Sequence, residues 1–219
     1  MKNQTQTNAI RQILWVFLPL VASILLHSLV LTPIYLTIAS NVEWNRTAFP
    51  QVIGYFQLLL EYAFYWFLFV FLENSMGKLR VVSYLFPILG LLLFRQGLEL
   101  LMGYSVMGFP SAEKFFEEEL VYLLLQLFFD CALLGLAALL IHFLKQPKRR
   151  AFVLSSLPFA FQLISLAVVL FGYRPLTKEI LSEAALDLIV HIVCLFAGFG
   201  VILFFDRLFG KETENEKTL

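Results

Sequence analysis

The chain has 219 residues, 60% of them hydrophobic and 15% charged, with 16 basic and 16 acidic side chains that cancel to zero net charge. Its mean hydropathy is +0.81. Water-soluble domains are roughly 45–50% apolar, so this composition excludes one and predicts an integral membrane protein, while the neutral charge and the lack of any recognisable module exclude nucleic acid as a partner.

Six apolar stretches follow in chain order, at 13–38, 51–72, 81–102, 118–144, 151–172 and 184–208. Each reaches the ~20 residues that a helix needs to cross a bilayer. The first is too long for the apolar region of a signal peptide and reads as a retained helix; it carries Pro19 and His27. In the second, Gln57, Glu61 and Tyr65 follow one another at four-residue spacing and so lie along one helix face. The third holds Pro87 and, one turn apart, Arg95 and Glu99.

Before the fourth stretch, Ser111 can cap a helix whose acidic collar includes Glu113, Glu117, Glu118 and Glu119. A helix from there to Leu144 spans roughly 50 Å, so it must tilt, protrude or break near Glu119. Within it Glu119, Tyr122, Gln126 and Asp130 share a face. The fifth stretch carries Pro158, Gln162 and Ser165. In the sixth, Asp187 and His191 are one turn apart, on a stripe that continues through Cys194 and Gly198. Cys131 and Cys194 lie deep in their spans, where packing is the ordinary role of a free thiol. Asn45-Arg46-Thr47 matches a glycosylation sequon.

Basic residues divide unevenly between the two sides. Lys2, Arg11, Lys78, Arg80, Lys145, Lys148, Arg149, Arg150, Arg207, Lys211 and Lys217 fall on one side, and Arg46, Lys114, Arg174 and Lys178 on the other. The positive-inside rule therefore places both termini in the cytoplasm. The expected architecture is all-α: one polytopic bundle of six transmembrane helices over 1–210, multi-pass in the cell membrane, with a short charged cytoplasmic tail at 211–219. Pro19, Pro87 and Pro158 each stand early in the first helix of a successive hairpin, at spacings of 68 and 71 residues, which suggests a weak repeat of two-helix units.

The interior charges also recur at one depth. His27 is 16 residues from Arg11, while Arg95 is 15 from Arg80, Asp130 is 15 from Lys145 and His191 is 15 from Asp206. All four then sit roughly 22–24 Å from the cytoplasmic edge of a ~30 Å hydrocarbon layer. Each Asp or Arg placed there costs about 2.5–3.5 kcal/mol on insertion scales, so a whole layer of them suggests a purpose, a ligand or ion site, with a purely structural polar network as the alternative. The candidate ligand-binding residues are His27, Glu61, Arg95, Glu99, Asp130, Asp187 and His191. Four carboxylates against one arginine predict attraction for a small cationic or amine-bearing ligand.

His27, His191, Asp187 and Glu61 are suitable metal ligands, but no H-E-x-x-H or similar spacing accompanies them, so metal and cofactor stay unassigned and enzyme chemistry ranks behind a binding role. Glu117-Glu118 lacks the following arginine that glutamate-type intramembrane proteases carry. A small-residue A-x-x-x-A signature is also absent, its nearest approach being Ser28-x-x-x-Thr32. In size and span count the chain resembles the substrate-binding subunits of energy-coupling-factor importers. That resemblance implies solute capture and a membrane or ATPase coupling subunit as partner, and it assigns no residue or substrate. An accessory or scaffold subunit of a larger membrane complex is the alternative, with an intramembrane enzyme third.

Overall fold

The computed structural model describes residues 13–41, 48–76, 82–107, 112–172 and 177–215. The sequon at 45–47, the cap at Ser111, the side chains of the acidic collar at 113–119 and that of Pro87 lie outside the described residues. All described elements are helical: α1 (13–40), α2 (Phe49–Met76), α3 (Val82–Met107), α4 (Ala112–Phe143), α5 (Pro147–Gly172) and α6 (Lys178–Asn215). Among the described residues, four segments are long and apolar enough to cross a membrane: Leu14–Ile38, Phe49–Glu73, Leu124–Phe143 and Ile180–Phe209. The expected polytopic membrane bundle is thus met in its helical class and in four of its spans. α4 is continuous through Glu119, so its excess length is not relieved by a break.

The surface supports the same reading. Phe128 is 66% exposed, and Leu18, Phe56, Leu139 and Phe196 are similarly open. Arg95, Gln96, Asp130 and His191 are buried instead. Apolar side chains outside and charges inside suit lipid as the solvent, where large exposed apolar surface carries no penalty.

The chain forms two compact units, Met1–Gly135 and Leu136–Leu219, with α4 running across the boundary. In the first unit α1 packs along α2, and its second half also packs on α3. Val16, Leu20 and Ile24, at four-residue spacing, form the buried stripe of α1. The buried residues of α2 include Tyr62, Phe64, Tyr65, Trp66, Leu68 and Phe69. Because lipid tails are as apolar as leucine, close packing and polar contacts between helices hold such a unit together, rather than exclusion of apolar surface from water.

α1 is irregular for a reason visible in its sequence. It alternates π-helical turns at Ile13–Phe17 and Leu26–Leu31 with α-helical segments at Leu18–Leu25 and Thr32–Ser40. Each α-helical segment has a proline as its second residue, Pro19 and Pro33. A proline ring clashes with the carbonyl four residues earlier, here that of Trp15 and of Leu29, and a widened turn relieves the clash. Both carbonyls fall within the π turns.

In the second unit α5 and α6 form an antiparallel pair. Arg150 near the start of α5 donates to Asp206 Oδ1 near the end of α6 at 2.8 Å, and the Phe152 and Phe199 rings meet edge to face at 6.1 Å. Thr177 caps α6, its hydroxyl accepting from the Ile180 N–H at 3.3 Å. Pro158 stands inside α5.

Candidate functional site

Five of the seven sequence-predicted residues converge in the first unit. α3, which packs against α1, carries Arg95, which is 3% exposed. Its Nε donates to Glu99 Oε1, one turn along the same helix, at 3.0 Å. Its Nη2 approaches Glu61 Oε1 on α2 at 3.7 Å. From α1, His27 Nδ1 lies 3.4 Å from the same Glu99 Oε1. Glu99 therefore sits between the imidazole and the guanidinium, and Arg95 sits between two carboxylates.

The aromatic residues of α2 form the wall behind the guanidinium. Arg95 Cζ lies 4.8 Å from the Phe64 ring centroid and 5.9 Å from that of Tyr65. A weakly hydrated, planar cation tolerates such burial better than an ammonium does, and the ring faces attract it. The Tyr65 hydroxyl in turn donates to Asp130 Oδ1, a short contact that ties α4 to α2. Gln96, next along α3 from Arg95 and equally buried, adjoins the same carboxylate. Glu61 and Arg95 act on Asp130 through space, but no basic group among the described residues comes within ion-pair distance of it.

Several buried polar atoms of the cluster have no hydrogen-bond partner among the described residues: Arg95 Nη1, Gln96 Nε2, His27 Nδ1, Ser28 Oγ and Asp130 Oδ2. Orphaned buried donors and acceptors are uncommon and each needs an explanation, since leaving one unmade costs about 1–3 kcal/mol.

The π turn contributes to the placement of His27. The His27 carbonyl accepts both the Thr32 backbone N–H, five residues on, and the Thr32 hydroxyl at 3.0 Å. Thr32 Oγ1 also accepts from Gln57 Nε2 of α2 at 3.3 Å. The widened turn is therefore pinned to the neighbouring helix immediately beside the charged cluster.

Asp187 and His191 belong to α6 of the second unit, where Asp187 is half-buried and His191 buried. Arg150–Asp206 is a separate ion pair of that unit. Of the polar stripe expected on α4, Gln126 and Asp130 are described, and Asp130 carries the contact. Tyr65, Phe64 and Gln96 belong to the site although sequence reasoning did not count them in it. Tyr65 was marked by its four-residue spacing from Glu61, whereas Phe64 carried no polar signal and Gln96 only its adjacency to Arg95. Among the described residues, no group of three or more His, Cys, Asp or Glu is placed to hold a metal ion.

No protein-family model matches the chain, and neither the curated proteins nor the solved structures include one similar to it. The functional reading rests on the cluster itself.

Proposed function

We propose that this membrane protein binds and moves a small cationic or amine-bearing solute, with the buried cluster of its first unit as the binding site. The observation that supports this reading is the charge excess of the cluster. Glu61, Glu99 and Asp130 face a single arginine. An excess of negative charge in a low-dielectric setting attracts a cation and repels a carboxylate. The Phe64 and Tyr65 rings of α2 flank the same cluster, and aromatic surroundings favour organic cations over strongly hydrated ones.

In this proposal the chain crosses the cell membrane six times with both termini in the cytoplasm, following the uneven distribution of its basic residues. Asp187 and His191 are proposed as further ligand-binding residues. A coupling subunit as partner follows from the architectural resemblance alone and is proposed on that basis.

A native mass spectrum of the gently released protein provides the test. The proposal expects a small cation or amine retained by the wild type and lost in Asp130→Asn. A protein partner with no small molecule would favour the accessory-subunit alternative.

A further inference from the structure

Pairing the charges of the cluster one by one leaves one of them over. Glu99 has Arg95 at 3.0 Å and His27 at 3.4 Å, while Glu61 has Arg95 at 3.7 Å. Asp130 is left with only neutral hydrogen-bonding neighbours, the Tyr65 hydroxyl on Oδ1 and the Gln96 amide alongside. Its other oxygen, Oδ2, is buried and has no hydrogen-bond partner among the described residues.

An uncompensated carboxylate away from water is far costlier than a neutral acid, and such a group neutralises by binding a proton. In this conformation Oδ2 is closed off, so a proton fits where any larger cation requires the helices to part. The surroundings suit both forms. Asp130 accepts from Tyr65 on Oδ1, and the neighbouring Gln96 side chain has both an acceptor to offer a protonated carboxyl and a donor to offer an ionised one. A side-chain amide serves either state because its two ends are a donor and an acceptor of nearly equal shape.

We infer that Asp130 is a proton-binding site, with Tyr65 and Gln96 as its positioning residues, and that a solute cation and a proton occupy its carboxylate in exchange. The exchange half rests on the solute-binding reading above, whereas proton occupancy stands without it. Binding of a cation then releases the proton from Oδ2 to the aqueous side that is open at that moment, which couples solute movement to a proton moving the other way. The charged and titratable groups that face Asp130 are Glu61 and Tyr65 of α2 and Arg95 of α3, with Cys131 adjacent on α4.

The chain contains three aspartates, Asp130, Asp187 and Asp206, so carbon-13 labelling of aspartate carboxyls isolates very few groups. The full chain in lipid nanodiscs, with no added solute, is measured by infrared difference spectroscopy between neutral and alkaline pH. The expected result is the carbonyl stretch of a protonated, isotope-shifted aspartic acid at neutral pH, lost on raising the pH and missing from Asp130→Asn. Tyr65→Phe, which removes the hydroxyl bonded to Oδ1, is expected to keep the band and move its frequency; this variant serves should Asp130→Asn not fold. An isotope-shifted band missing from the wild type, persisting in Asp130→Asn, or unmoved by Tyr65→Phe would overturn the inference. Because no solute is added, this outcome is independent of whether an organic cation binds.

Discussion

Arg95 is surrounded by groups that each depend on its charge. Glu99 and Glu61 approach it from two helices, Phe64 covers its face, and its own side chain is almost wholly buried. Removing one partner of a buried ion pair is costlier than the pair itself is worth, because the survivor is left charged and unmatched. Arg95→Met therefore strands two carboxylates and is expected to destabilise the protein by about 3–5 kcal/mol, while Arg95→Met/Glu99→Gln recovers part of that loss. Thermal unfolding of both variants in the same detergent checks the order; a double variant no more stable than the single one contradicts the pairing. At this scale the sequence was informative but incomplete. Residue counts at a regular helical rise predict a common depth for His27, Arg95 and Asp130, and α1 departs from that rise at its π turns. Which faces meet does not follow from such counts, since lateral packing depends on small differences in side-chain shape. Gln96 and Phe64 were invisible as site residues for that reason.

Among the elements, α1 departs furthest from expectation. The apolar length of 13–38 marked a span, but a proline in a membrane helix is accommodated in several ways, so sequence does not select the π turn. Here the turn at Leu26–Leu31 precedes Pro33 and is held by Thr32 and Gln57. If the Pro33 ring holds this turn open, Pro33→Ala lets it close to a regular helix. Closing it by one residue rotates Thr32–Ser40 by about 100° against the rest of α1. A spin label at the exposed Thr37 is then expected to change its distance to one at the exposed Phe56 by roughly 5 Å, half a helix diameter. An unchanged distance would show that the π turn is maintained by its polar contacts and not by proline. The position of His27 within this turn gives the irregularity a functional consequence, since π turns concentrate at sites that bind or move.

For the molecule as a whole, the membrane character was fully legible, because composition alone dictates it. Four long apolar spans carry it in the structure, and the six-span topology is a proposal that follows from charge distribution. Reporter fusions after Gln146 and after residue 211 are expected to be cytoplasmic, and one within 42–47 external. An external reporter after Gln146 contradicts that topology. The long-range arrangement of the polar stripes was the least legible level. Glu61, Arg95, Glu99, Asp130 and His27 meet in one unit, and a periodic stripe on each helix does not specify its neighbour. Whether this meeting point selects cations is measured by equilibrium dialysis of the purified full chain against labelled methylammonium and labelled acetate. Saturable binding of methylammonium is expected, with none of acetate and at least a tenfold loss in Glu61→Gln, equivalent to about 1.4 kcal/mol. Equal binding of the two ions, or methylammonium binding untouched by Glu61→Gln, would contradict such selection.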